Sequence, residues 1–370
     1  MKFLIVTHVE HVYKDGKYYG YAPYVREMNI WLKHVDEVLI VAPLSKRAIT
    51  AIEIPYEHSH IDFKAVPAFS LTSGKEIIKT LFNLPMLLWT IFRYMRKTDH
   101  IHLRCPGNMG LLGCIVQICF PKKTKTAKYA GNWDPNSNQP ASYRLQKKIL
   151  KSTLLTKNMN TLVYGDWPNS TKNIKSFFTA TYYEKDKQPL KAKLYTNHIK
   201  FLFVGTLSVG KQPKYVIQLV QGLKKKGYDV SLDVFGDGVL RNELETFIAA
   251  EQIASYITLH GNKTKTEIEN AYKESHFMVL PSKSEGWPKV VAEAMFWGCI
   301  PVVTPISCVP YMLAEGQRGV LLSMQLEQDV EAVKNVMINT DKCTAIRKEG
   351  SEWSRTYTLD YFEAEIVKLL

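Results

Sequence analysis

FMVLPSKSEGWPKVVAEAMFWGCIPVVTP, residues 277 to 305, reads as one strand–helix–strand unit. An apolar run is followed by a small polar loop. Pro288 then opens a helix, where its missing N–H costs nothing, and Gly298 stops it. The run from Ile300 to Val303 is strand-like. Two strands joined by a crossover helix imply a parallel sheet with covered faces. Two carboxylates stand out in this unit. Glu285 lies in the loop, and Glu293 lies in the helix beside Ala292, Ala294 and Met295. A charge in apolar surroundings needs a partner. Lys289, one turn before Glu293, is one choice, and a bound ligand is the other.

The same alternation extends in both directions. KFLFVGTL (200 to 207), DVSLDVFGDG (229 to 238) and YITLHGN (256 to 262) read as strands, and the helix of 213 to 228 ends at Gly227. Earlier in the chain, 2 to 8, 37 to 43, 99 to 105 and 124 to 132 read as strands with amphipathic helices between them. The charged stretch 182 to 200 contains Pro189, lacks apolar periodicity and reads as a linker. The expectation is an α/β protein of two Rossmann-like doubly wound domains facing across a cleft. They cover 1–190 and 191–352, with a helix of about 353–370 packing back on the first.

In open α/β sheets ligands lie beyond the carboxyl ends of the strands. Those ends here are small or glycine-rich: Gly205-Thr206, Gly236, Gly261-Asn262 and the loop through Glu285 and Gly286. The helix start near Trp287, Lys289 and Val290 offers free N–H groups and a favourable dipole to a diphosphate. Glu293, one turn deeper, is placed to accept from a ribose diol, and Glu285 from sugar hydroxyls. On this reading ligand hydroxyls, not cations, satisfy the two carboxylates.

The stretch PSKSEGWPKVVAEAMFWGCIPVVT resembles the signature of retaining glycosyltransferases of the GT-B fold, family 4 type. FVGTLSVGKQP, FGDGVLRNELE and YITLHGN precede it in that family's order. The resemblance is close over about 200 to 322 and only one of pattern before that. It implies sugar transfer from a nucleotide-sugar to an acceptor hydroxyl with the anomeric configuration kept. It casts Glu285 against the donor sugar, Glu293 on the ribose and Lys211 on the diphosphate. An ammonium there would stabilise leaving-group charge without a metal. The sequence departs from the family pattern in several places. Thr206 stands where an arginine is usual, Asn132 or Trp133 where a histidine is usual, and Pro310-Tyr311 where a proline–glutamate pair is usual. Pro288 also removes an N–H that a glycine would offer. Gly16, Asn132 and Trp133 are the acceptor-side candidates, with the tyrosine-rich stretch 13 to 24 read as a cleft loop or an ordinary connection. Catalytic roles fall to Lys211 and Glu285, and no cofactor or metal is expected. The alternatives are a sugar-nucleotide epimerase of the same fold and a non-catalytic sugar-nucleotide or glycan-binding subunit.

The 370 residues carry a formal charge of +13, which suits an anionic partner. No zinc finger or RRM signature points to nucleic acid. The six cysteines form no CxxC pair and read as reduced thiols. The N-terminal apolar run is too short for a signal-peptide core. The stretch 77 to 97 is too interrupted to span a bilayer and reads as a core helix with an interfacial composition: Trp89, Phe92 and Tyr94 between Lys79 and Arg96-Lys97. Together with the lysine runs 122, 123, 125 and 147, 148, 151, these features predict a cytoplasmic protein, peripheral on anionic membrane, acting on a lipid-linked or other glycan acceptor.

Overall fold

The computed structural model describes residues 1–50, 52–67 and 74–370. Side chains of 74–81, Lys79 among them, lie outside the described residues. The chain forms two compact units, Met1–Phe178 with Phe362–Leu370, and Thr179–Tyr361. They divide at 178/179, whereas the sequence reading placed the join near 190.

The first unit is built on seven parallel strands. From one edge they run Ile174–Phe177, Met159–Tyr164, Thr124–Tyr129, His100–Cys105, Lys2–Val6, Glu37–Ser45 and Ile61–Val66. In chain order this is 7-6-5-4-1-2-3, the doubly wound pattern. The first strand is the central one, and Phe3 to Val6 are fully buried. Strands covered on both faces read as continuous apolar runs, which is why this segment was recognisable. His11–Lys14 and Lys17–Tyr21 form a hairpin that joins the far end of Glu37–Ser45. Asp15 and Gly16 make its turn with φ of 49° and 78°, the left-handed pair that two-residue hairpins require. The tyrosine-rich stretch is therefore largely an ordered ribbon, running into the helix that starts at Ala22.

Two lysines of Thr124–Tyr129 are buried within the unit. The Lys125 ammonium donates to the carbonyl of Phe120 at 3.0 Å, just past the end of the preceding helix, where carbonyls lack partners. Burial pushes its pKa down to about 8. Lys128 donates to the Phe178 carbonyl at 2.7 Å and lies 3.7 Å from Glu27. The rings of Tyr164, Phe177 and Phe362 surround it at 4.8, 4.4 and 5.4 Å. It thereby fixes the returning C-terminal segment, which Glu363 also ties through Lys33 and His34. The segment read as one helix over 353–370 is the end of Thr340–Ser354 and a separate helix, Leu359–Val367, of which only the part from Phe362 belongs to the first unit.

The second unit holds six parallel strands: Ile199–Val204, Val230–Phe235, Ile257–Gly261, Phe277–Leu280, Ile300–Val303 and Val320–Leu321. Their spatial order is 3-2-1-4-5-6, so the sheet reverses direction between the first and fourth strands. The stretch read as a linker, 182–200, is bound along the surface of this unit. Lys193 donates to the carbonyls of Tyr272, Ser275 and Gly298, satisfying two helix ends at once.

Candidate functional site

A reversal of strand order opens a crevice at the carboxyl ends of the two diverging strands. In the second unit those ends lead into residues 205–212 and 281–288. The two loops are fastened together. The Gln212 amide donates to the Pro281 carbonyl at 2.6 Å, and the Lys283 N–H to the Gly210 carbonyl at 2.8 Å. Gln212 adopts a left-handed φ of 51° at the start of the helix Pro213–Lys225. That turn carries Lys211 back over the crevice, where its ammonium forms an ion pair with Glu285. Glu285 is 11% exposed and Lys211 28%. The expectation that no cation meets these carboxylates is thus corrected for Glu285: its partner is remote in sequence and adjacent in the sheet.

The loop after the fifth strand holds the Glu285 segment from the other side. Thr304 donates to the Ser282 carbonyl at 2.6 Å. The Ser307 hydroxyl and the Cys308 thiol both donate to the Gly286 carbonyl, at 3.1 and 3.0 Å. Ser307 is held at φ 53°, a conformation costly for a residue with a Cβ. Trp287 is buried against Trp353 and Tyr357.

Pro288 is the N-cap of the helix Lys289–Phe296, with Lys289 and Val290 half-buried in its first turn. Glu293 accepts from Thr181 Oγ1 at 2.7 Å and from the fully buried Tyr272 hydroxyl at 3.1 Å. Burial and the neighbouring carboxylate raise the Tyr272 pKa well above the usual phenol value. Two protein hydroxyls therefore occupy part of a carboxylate that can accept about four hydrogen bonds.

On the other flank, Gly236 has φ 129°, and a Cβ there would lie 1.9 Å from the Gly205 carbonyl oxygen. Its lack of a side chain is explained by this backbone contact alone. Gly261 accepts from the Gly236 N–H at 2.8 Å, while Thr206 and Asn262 are exposed.

The acceptor-side candidates differ in their surroundings. Gly16 sits at the tip of the hairpin, where an added Cβ would meet nothing within 4 Å. Trp133 is 1% exposed and packs edge-on against Tyr129 at 4.8 Å, so it is core. Asn132 is half-buried and its side chain accepts from the Asp134 N–H at 2.9 Å, closing a local turn.

Residues 184–353 match the family described as Glycosyl transferases group 1. The matched stretch lies within the second unit. Over parts of its length the chain is similar to curated proteins. These include an uncharacterized glycosyltransferase of Methanocaldococcus jannaschii, 25% identical over 42% of this chain and 43% of that one. Alpha-D-kanosaminyltransferase of Streptomyces kanamyceticus is 26% identical over 33% and 31%. The chain spans under half the length of both. Among solved structures, Anabaena HepE in complex with UDP superposes with a TM-score of 0.69 at 13% identity, covering 99% of this chain and 98% of that one. WaaG, a glycosyltransferase involved in lipopolysaccharide biosynthesis, gives 0.63 at 12%, covering 100% and 99%. The fold is that of GT-B glycosyltransferases. The stretch that matches the group 1 family includes both glutamates, Lys211 and the clasp around Gly286. Gln212, Ser307, Cys308, Thr181 and Tyr272 escaped sequence reasoning. No local signal marked them: the left-handed backbone at Gln212 and Ser307 shows only in the structure.

Proposed function

We propose that the protein is a retaining glycosyltransferase of the family 4 type, moving a hexosyl group from a nucleotide-sugar to an acceptor hydroxyl. The observation that carries this reading is the Lys211–Glu285 ion pair at the reversal of strand order within the stretch that matches the group 1 family. The pair holds a cation and an acceptor together in a half-exposed crevice. A donor's diphosphate competes with Glu285 for the ammonium, and the released carboxylate then accepts from sugar hydroxyls. As the glycosidic bond breaks, negative charge grows on the leaving diphosphate, and a fixed ammonium stabilises that charge more than the ground state. No side chain in the crevice is cast as a covalent nucleophile, so the acceptor hydroxyl attacks from the face of the departing diphosphate, whose oxygen takes its proton. Glu293 keeps two acceptor positions for a ribose diol, beside the helix start at Lys289 and Val290. Gly205, Thr206, Gly236, Gly261, Asn262, Gly286 and Trp287 line the donor side of this reading. Relatives in complex with UDP and sugars support a nucleotide-sugar donor. The acceptor we favour is a lipid-linked glycan or polysaccharide precursor reached at a cytoplasmic membrane surface. Thermal-shift screening with UDP, GDP, ADP and their sugars tests the donor, since a selective ligand raises apparent stability. Proton NMR of the product's anomeric signal tests retention. Stabilisation by no nucleotide would overturn the reading, and nucleotide binding with no transfer would favour a binding subunit.

A further inference from the structure

From Phe82 to Lys97 the helix Gly74–Lys97 carries apolar side chains on its buried face and on its outward one. One face, with Leu87, Ile91 and Met95, is buried in the core of the first unit. The other presents Phe82 at 82%, Met86 at 49% and Trp89 at 65% exposure. Their spacing of four and three residues places them in one row. The Trp89 indole is steadied by stacking on Phe92 at 5.8 Å, and Phe92 in turn packs on Phe120 at 5.0 Å. The row ends in exposed Arg93, Arg96 and Lys97, and no acidic residue occurs from 82 to 97. Lys123 donates to the carbonyls of Arg96 and Thr98, so the basic end of the helix is anchored. Among the described residues no helix is long and apolar enough to cross a membrane.

The lysine runs supply charge unevenly: Lys122, Lys148 and Lys151 are exposed, and the other three are held by the protein. Lys125 is fully buried, and Lys123 is bound to backbone carbonyls. Lys147 donates to the Asp134 carbonyl at 3.1 Å and lies 5.6 Å from the Trp133 ring, with burial lowering its pKa to about 8.

We propose that the outward face of this helix, from Phe82 to Lys97, docks on anionic lipid. The row Phe82, Met86 and Trp89 enters the interfacial zone, where aromatic rings are favoured, and Arg93, Arg96 and Lys97 meet the headgroups. The charged side chains of the helix from 82 to 97 are all basic, although Asp62 and Glu37 lie in the same pocket as Lys97, so the lipid it fits is anionic. This deepens the reading of a membrane-linked acceptor but does not need transfer activity to be tested. The experiment is co-sedimentation of the full chain with vesicles of phosphatidylcholine alone, or with a quarter phosphatidylglycerol. The two variants are Phe82→Ser/Trp89→Ser and Arg96→Glu/Lys97→Glu. All four side chains are exposed, and thermal melting checks that the variants fold. Expected are binding to the anionic vesicles alone, loss on raising salt, and a drop of at least about tenfold in partitioning for each variant, since each headgroup cation contributes about 1 kcal/mol. Absence of wild-type binding at low salt, or binding unchanged in both variants, overturns the proposal. So does a dimer-to-monomer change in Phe82→Ser/Trp89→Ser without vesicle binding, which would make the face a contact between copies. Stabilisation by nucleoside diphosphate, read on the same samples, reports on the second unit and separates failure here from failure of the proposed activity.

Discussion

Replacing Glu293 with alanine removes two things that can be measured apart. The first is structural. Tyr272 is fully buried, and its hydroxyl reaches Glu293 Oε2 at 3.1 Å. Without the carboxylate that hydroxyl has lost a charged partner in the interior, where an unsatisfied group costs about 1–3 kcal/mol. Thr181, at 2.7 Å from Oε1, is half-buried, and water can replace its bond. Alanine's better helix propensity returns a few tenths of a kcal/mol. The expected destabilisation is about 2 kcal/mol, or a fall in melting temperature of roughly 4–8 °C for a unit of this size. Tyr272→Phe should cost about 1 kcal/mol. In the double variant neither group is left alone, so its loss should not exceed that of Glu293→Ala. The second effect is on binding. Under the proposed ribose role Glu293→Ala also forfeits about 1.5–3 kcal/mol of nucleoside diphosphate affinity, whereas Tyr272→Phe keeps it. Urea unfolding with and without nucleotide reads both. Additive losses in the double variant would refute the structural coupling. Equal nucleotide affinity in Glu293→Ala and wild type would remove the ribose role.

Lys211→Ala should lower turnover more than donor affinity, because leaving-group charge grows toward the transition state. Initial-rate kinetics beside donor titration decide this, and activity should survive EDTA; equal losses, or abolition by chelation, would count against a lysine-based mechanism. Acid should weaken the fold between pH 6.5 and about 4. Burial lowers the pKa of His100 to about 4, and burial reinforced by Lys193 lowers that of His276 to about 4. For a histidine depressed in the native state, stability is full above the unfolded value. It falls as pH drops toward the folded value, because the unfolded chain binds the proton first, by about 1.4 kcal/mol per pH unit per histidine. His276→Gln should therefore flatten the slope of unfolding free energy against pH by about one proton, and an unchanged slope would show that His276 titrates normally.

The strands were legible because parallel strands buried on both faces leave continuous apolar runs, as at Phe3 to Val6 and Phe277 to Leu280. The hairpin was missed, although Asp15-Gly16 is the pattern its turn demands, because its tyrosines drew attention toward ligand binding. Lys125 was misread, and Lys128 passed over, because alternation gives the face of a strand, not what lies beyond its end. Lys125 finds helix-end carbonyls there, and Lys128 finds Glu27 and three rings. The signature around Glu285 was plain, but its partner was not: Lys211 is 74 residues away, and only the adjacency of the first and fourth strands brings them together.

That adjacency also separates what is fixed in the crevice from what can change. The loops are tied by bonds to backbone carbonyls, Gln212 to Pro281, Thr304 to Ser282, and Ser307 with Cys308 to Gly286. Carbonyl acceptors do not titrate and do not compete for a diphosphate, so an incoming anion leaves these ties intact. The Lys211–Glu285 pair is different. Lys211 is the more exposed partner, so its ammonium is open to a competing anion. A diphosphate carrying more than one negative charge outbids a single carboxylate for the ammonium. The ion pair keeps two charges paired and positioned while the crevice is free, and under the proposed mechanism the exchange of one partner arms the cation and frees the acceptor without moving the backbone that holds them.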